Sequence, residues 1–346
     1  MAAFTPLKTG VAYHSNRILR HAEEDMRELV RQDMNLVVHM FTHNDMERHR
    51  NVMKDIISAS EQLGLEVWID NWGIEGGPGD KAHFLAYNPD ARMVNSDGSP
   101  HPIKACYNNE EFLAFTFQWL DMVREAGGKT VFWDEPYIPC GTAFACACPT
   151  CRRLFEESYN KPMPTTLTDE VVEFRSGTVE NYFRRITAHA ASLGIVNTVC
   201  VMFDPRHGIS LDNMDHIGDI SELANIGCDP YWYGHSDVIG EAVYDFVYER
   251  SKKNIDFCAR HKKDHNIWIQ AYAAPSGRED EIILACDAAY DAGARTIIGW
   301  SFRGGESNDY RCAHTEKAWA ALCMGLRRQK MRHFDAIHQT AALKYK

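Results

Sequence analysis

At 346 residues, 45% hydrophobic and 25% charged, the chain has the material for one sizeable folded core and none of the bias of a disordered segment. Its 37 basic against 48 acidic side chains leave a formal charge of −11, which excludes a basic field for nucleic acid or for an anionic membrane surface. No run approaches the roughly 18 apolar residues of a membrane span. Residues 1–11 lack an apolar signal core, and the 11 cysteines are an odd number in a long chain, so the expectation is a cytoplasmic protein with reduced or metal-bound thiols rather than disulfides.

Taken in chain order, short apolar or β-branched runs predict strands over 10–13, 36–41, 65–70, 130–133, 198–203, 225–228, 267–270 and 296–300. Apolar residues at helical spacing predict helices over 22–31, 46–63, 110–126, 179–193, 241–261, 279–292 and from 315 to about 332. Near-continuous apolar strands alternating with amphipathic helices imply a parallel sheet covered by helices. Eight such strands favour closure, so the expected fold is α/β, a (β/α)8 TIM barrel, formed as a single domain over 1–346. No GxGxxG follows the first strand, which argues against a dinucleotide and leaves no organic cofactor expected. Gly76-Gly77-Pro78-Gly79 reads as a loop, because no Lys-Ser/Thr follows to make a phosphate cradle. The longest insertions, about 73–108 after the third strand and about 136–173 after the fourth, fall on the face where barrels build their sites.

Trp133-Asp134-Glu135-Pro136 closes the fourth strand, and Pro136 forces the chain out of the sheet. Two adjacent carboxyls there are costly unless their charge is used or paired. Alternation along a strand sends Asp134 and Glu135 to different sides, and Pro136 is expected to hold Glu135 extended. The segment resembles the acid/base signature of glycoside hydrolase clan A, a Glu preceded by Asn and followed by Pro at the end of strand four, with Asp134 standing where Asn is usual. That resemblance implies a glycoside hydrolase in which Glu135 is the general acid/base. Cys146-Ala147-Cys148-Pro149-Thr150-Cys151 is similar to the cysteine triplet of the zinc-containing β-galactosidases of family 42, whose fourth thiolate lies upstream. By that likeness Cys106, Cys146, Cys148 and Cys151 hold a structural Zn2+, with Cys140 a rival for the fourth place; four thiolates close a tetrahedron and leave no open position for catalysis.

The clan's nucleophile is a Glu at the end of strand seven, where this chain has Gln270, and an amide cannot serve as that nucleophile. Asp229 is then the main candidate for the second catalytic acid, with Asp70 and Asp204 also at strand ends. An Asp-Glu-Pro at this place also resembles the substrate-assisted N-acetylhexosaminidases, in which the Asp orients a 2-acetamido group, so Asp134 joins the catalytic candidates. A divalent-metal sugar isomerase using His39, Glu135, Asp204, His207 and Asp229, and a non-catalytic carbohydrate-binding barrel, stay open as alternatives. Asp70, Trp72, His39, Trp133, Tyr137, Tyr231, Trp232, Gln270, Trp300 and Arg303 complete a rim of flat aromatic faces and polar groups suited to a carbohydrate substrate. Association with further copies of the chain stays open.

Overall fold

Eight parallel strands close into a barrel in the order β1-β10-β9-β8-β7-β6-β3-β2, surrounded by helices. The computed structural model describes residues 6–74, 82–201 and 215–344, with side chains through 338. The barrel strands are β1 (Lys8–Tyr13), β2 (Leu36–Met40), β3 (Glu66–Asp70), β6 (Thr130–Trp133), β7 (Val196–Val201), β8 (Leu223–Cys228), β9 (Asp264–Gln270) and β10 (Thr296–Trp300). All eight expected strands are present, with ends displaced by a few residues. Asp204, His207 and the 76–79 glycine cluster lie outside the described residues. By contact density the chain divides into two compact units, Met1–His39 with Asp55–Trp68 and Gly227–Lys346, and Met40–Lys54 with Ile69–Ile226.

In the first unit, β1 pairs in register with β10 and β10 with β9. The strands are almost wholly buried because helices cover them, which is why their sequences run apolar instead of alternating. Helix α1 (Leu19–Arg31) turns Ala22, Met26 and Leu29 inward on one stripe. Helix α8 (Ala242–His261) packs on α9 (Glu281–Asp291), and α10 (Thr315–Lys344) packs on α9. Two glycines set these distances. A Cβ at Gly299 would lie 2.4 Å from Leu322 Cδ2, so α10 sits against bare backbone of β10, and a Cβ at Gly227 would lie 1.9 Å from the buried Asn266 Oδ1.

In the second unit, Val131 of β6 pairs with Ile69 of β3 and with Asn197 of β7. Helix α4 (Glu110–Glu125) is capped by Asn109, whose side chain accepts from Phe112 N, and buries Phe112, Phe115, Trp119, Leu120 and Val123. Helix α6 (Asp169–Ser192) begins ten residues before the expected 179, because Thr168 accepts from Val171 N and Asp169 and Glu170 occupy the first turn. The insertion after the third strand is no plain loop: it holds a short helix α3 (Phe84–Tyr87) and an antiparallel hairpin of β4 (Arg92–Val94) and β5 (Pro100–Ala105). The insertion after the fourth strand contains helix α5 (Pro149–Tyr159), ended by Asn160 in the left-handed region. A four-residue helix, α7 (Asp215–Gly218), precedes β8. No helix among the described residues is long and apolar enough to cross a membrane.

Candidate active site and thiolate cluster

At the carboxyl ends of the paired strands β3 and β6 the backbone brings four polar residues together. Asn71 N–H donates to Phe132 O at 3.4 Å, and the Asn71 side-chain oxygen accepts from Asp134 N at 3.0 Å. Asn71 is 3% exposed, so it clips the ends of the two strands from inside the protein. Asp70, 0% exposed, precedes it, and burial followed by the charge of Asp134 pushes the Asp70 carboxyl well above the ordinary carboxylate range. Asp134 and Glu135 are half-buried.

Glu135 is not extended as Pro136 led one to expect; its φ is 40°, in the left-handed region. The preceding peptide is pinned through Asp134 N, so the chain leaves the strand at Glu135 itself, at a strain of roughly 1–3 kcal/mol for a residue with a Cβ. The segment that follows is held by two buried cations that sequence reasoning missed. Arg175 Nη2 donates to Ile138 O at 2.7 Å and to Pro139 O at 3.0 Å, and Lys104 Nζ lies 4.0 Å from the Tyr137 ring centroid. Tyr107 OH donates to Tyr137 O at 3.2 Å, and its ring stacks on Tyr182 at 4.3 Å. Nothing local in the sequence marks Lys104 or Arg175 for this, since both act on a segment more than 30 residues away.

Among the expected rim residues of this unit, Tyr137 and Trp72 are partly exposed. Trp133 belongs instead to the core: it is 0% exposed, packs on Trp119 and Phe183, and donates its indole N–H to Asn197 Oδ1 at 3.0 Å.

The cysteine set comes together as the resemblance implied. Cys106, at the end of the hairpin, and Cys146, Cys148 and Cys151, at the start of α5, are all buried, with their sulfurs within 4.8 Å of one another. Cys106 Sγ lies 3.7 Å from Cys148 Sγ and 3.5 Å from Cys151 Sγ. Four sulfurs about 2.3 Å from a tetrahedral Zn2+ stand roughly 3.8 Å apart, so the spacing fits that ion. Cys140, the rival ligand, is partly exposed and lies outside the set. Cys148 also caps α5, accepting from Cys151 N at 3.5 Å, and Asn108 Nδ2 donates to Cys151 Sγ at 3.4 Å. Hydrogen bonds from Cys106, Cys146 and Cys151 hold the Cys148 thiol far below its ordinary range, while the same cluster pushes Cys106 well above it.

His43, Glu47 and His83 form a second group of ligand-type side chains, and His43 and Glu47 line an open cavity of about 530 Å³ with Tyr87, Glu111 and Gln118. His83 N–H donates to His43 Nδ1 at 2.9 Å, and Nε2 lies 3.3 Å from Glu47 Oε1. A neutral imidazole that accepts at Nδ1 carries its proton on Nε2, so the nitrogen facing Glu47 is a donor rather than a metal ligand.

In the first unit, Gln270 is 4% exposed and its Oε1 accepts from Trp232 N at 2.8 Å and Tyr233 N at 3.0 Å, which ties the strand end to the loop after β8. Trp232 is fully buried and donates to Glu281 Oε2 at 2.8 Å, so it too is placed as a packing residue. His39 is 1% exposed, with Nε2 2.9 Å from Ser60 Oγ. Asp229 is half-buried, and its carbonyl accepts from Tyr231 N at 2.6 Å; the Tyr231 ring meets Tyr272 edge-on. Trp300 is partly exposed and sits edge-on to His14 and Trp268. Arg303 is bound to Glu28 and Glu316, each at 2.9 Å, and lines a cavity of about 570 Å³ between α1 and α10.

No known family profile matches the chain, and no curated protein does. Solved structures do. The catalytic domain of a β-amylase from Paenibacillus polymyxa is similar over 93% of this chain and 97% of that one, with a TM-score of 0.65 at 9% identity. GH5_18 from Streptomyces cattleya, solved with GlcNAc, is similar over 95% of this chain and 81% of its own, with a TM-score of 0.62 at 12% identity. A D-allulose 3-epimerase from Methylomonas sp. is similar over 95% of this chain and 100% of its own, at 0.51 and 11%. At such identities the likeness is one of fold.

Proposed function

We propose that the chain is a glycoside hydrolase in which Glu135 protonates the leaving glycosidic oxygen. The observation that carries this reading is Glu135 itself: a partly exposed carboxyl at the mouth end of a barrel strand, on backbone at φ 40°, directly after a residue clipped by the buried Asn71. Strain in a non-glycine residue persists where surrounding structure over-determines it, and functional sites are where such residues gather. General acid catalysis needs a carboxyl fixed within hydrogen-bond reach of one oxygen, and a rigid strand end provides that fixity. The four cysteines would hold a structural Zn2+. An all-thiolate site offers no open position, so the ion would join the hairpin to α5 and take no part in the reaction.

A second reading, a substrate-assisted N-acetylhexosaminidase using Asp134 and Glu135, is favoured by Gln270. The place where the clan's nucleophile is expected holds an amide whose oxygen is occupied by two backbone donors. A nucleophile from a 2-acetamido group, or from Asp229, would make the position dispensable. The sugar-isomerase reading is weakened at His39, whose Nε2 is committed to Ser60 in a fully buried setting.

A panel of aryl glycosides with and without a 2-acetamido group tests both. Glu135→Gln is expected to lower kcat/KM by about 10²–10⁴-fold with the fold intact. Undiminished turnover in that variant would sink the assignment. Release confined to 2-acetamido sugars selects the substrate-assisted route.

A further inference from the structure

Behind the Asp134-Glu135 pair lies a third carboxyl, and its surroundings differ from theirs. Asp70 closes β3, 0% exposed, on the strand that pairs with β6. Among the described residues, neither of its oxygens has a well-formed hydrogen bond, and the Trp72 backbone N–H is the donor directed toward them. The Asp70 carbonyl accepts from Phe41 N at 3.0 Å, so the backbone is fixed while the carboxyl is not neutralised. Among the described residues, the charged group that acts on it is Asp134, carried by the neighbouring strand; its own strand continues into the Asn71 amide and Trp72. A bare carboxylate in such a place, unpaired and beside another acid, would lose its hydration with nothing in exchange. Arginine and lysine do occur inside this unit, but Arg175 is used on the carbonyls of Ile138 and Pro139, and Lys104 on the Tyr137 ring.

We propose that Asp70 is a positioning residue of the candidate active site: a neutral carboxylic acid behind Asp134, so that the two strand ends carry one negative charge between them, on Asp134. The functional part rests on the hydrolase reading above; the protonation state does not. Kept neutral, Asp70 places no second charge beside Asp134, whose backbone N–H stays on the Asn71 side-chain oxygen. Ionised, it sets a second buried negative charge behind the first and opposes both that placement and the charge on Asp134. Buried carboxylic acids held neutral beside an active carboxylate are a known way to make one fold run acid chemistry near neutrality. Asp70 is too deeply buried to touch a ligand in this arrangement, so it acts through Asp134 and is no candidate for a nucleophile. That removes it from the acids that could partner Glu135.

Native protein binds a proton at Asp70 that the unfolded chain has released over the range between the unfolded value and the raised folded one. Stability therefore falls as pH rises through that range, by up to about tenfold in the unfolding constant per pH unit. Wild type, Asp70→Asn and Asp70→Leu would be unfolded in urea across that pH range, and the carboxyl state read in the wild type by infrared difference spectroscopy with 13C-labelled aspartate. The expected result is a protonated carboxyl band at neutral pH that is lost in Asp70→Asn, together with a flattened alkaline stability slope in both variants. The Asp134 amide resonance should shift as Asp70 titrates in the wild type and stay fixed in Asp70→Asn. With an aryl glycoside, Asp70→Asn should keep kcat within about tenfold at neutral pH and extend the alkaline limb. No protonated band in the wild type, or an unchanged pH slope in Asp70→Asn, overturns the neutral acid. An Asp134 amide that ignores the titration overturns the positioning role. If no glycoside is cleaved, the hydrolase reading fails while the spectroscopic and stability results still decide Asp70.

Discussion

The feature that most constrains the proposed chemistry is a single dihedral angle, φ of 40° at Glu135. A residue with a Cβ pays for that conformation and glycine does not, so the comparison of Glu135→Gly with Glu135→Ala isolates the strain: the glycine variant is expected to be more stable by about 1 kcal/mol, with both inactive. Equal urea midpoints for the two would mean that the surroundings impose no strain. Asn71 is the companion prediction. Asn71→Ala leaves the half-buried Asp134 N–H without its acceptor, which should cost about 1–3 kcal/mol and lower kcat more than it raises KM. Glu135 stood out as a candidate because a tetrapeptide carries its signal, and Cys146, Cys148 and Cys151 because their spacing is tight, whereas Cys106, 40 residues upstream of Cys146, was reached only through the resemblance. Asn71, Lys104 and Arg175 did not stand out, because their partners are supplied by other elements and no local pattern records a contact made across a barrel. For the same reason Trp133 read as a rim residue: it precedes the acids in the sequence, but the strand turns its ring to Asn197 and the core.

Among the elements, all eight barrel strands were legible, since helices cover them and the resulting apolar runs are distinct from their amphipathic neighbours. The hairpin β4–β5 and helix α5 were not. The hairpin is short and partly exposed, so it carries little hydrophobic period, and α5 buries only Cys151 and Phe155. Such small elements cannot repay the entropy of ordering them through apolar burial alone. What joins them is sulfur: Cys106 from the hairpin, Cys146 and Cys148 before α5, and Cys151 in its first turn. The purified protein should therefore carry about one tightly held Zn2+ per chain. Chelation, or Cys151→Ser, should raise amide exchange across the hairpin and α5 while β6, β7 and α4 stay protected. Metal-free protein with the same protection at α5 would show that thiol packing alone suffices.

For the whole molecule, the fold class was readable because it depends on counting units, and counting tolerates errors of a few residues at every boundary. The division of charge inside it was not readable, since burial decides it. His14, one residue past β1, is pushed down to about 3, first by burial and then by the Arg17 charge. The unfolded chain takes up that proton near its ordinary value of 6.5, so between there and about 3 the unfolded state binds more protons and stability falls as the pH falls. One such group contributes at most about 1.4 kcal/mol per pH unit, on the order of 5 kcal/mol over the full interval. Asp70 works in the opposite sense, losing stability as the pH rises, because its folded carboxyl holds its proton longer than the unfolded one. The two slopes together predict a stability maximum between them, with His14 governing the acid side. Replacing His14 by phenylalanine keeps a ring beside Trp300, edge-on in the native protein at 4.8 Å, and removes the titration. Urea midpoints from pH 7 to pH 4 should then fall less steeply in His14→Phe than in wild type, while the alkaline side stays the same. A His14→Phe protein with the wild-type acid slope would place the acid sensitivity elsewhere, in the carboxylates that pair with arginine on the surface, such as Glu110 with Arg185.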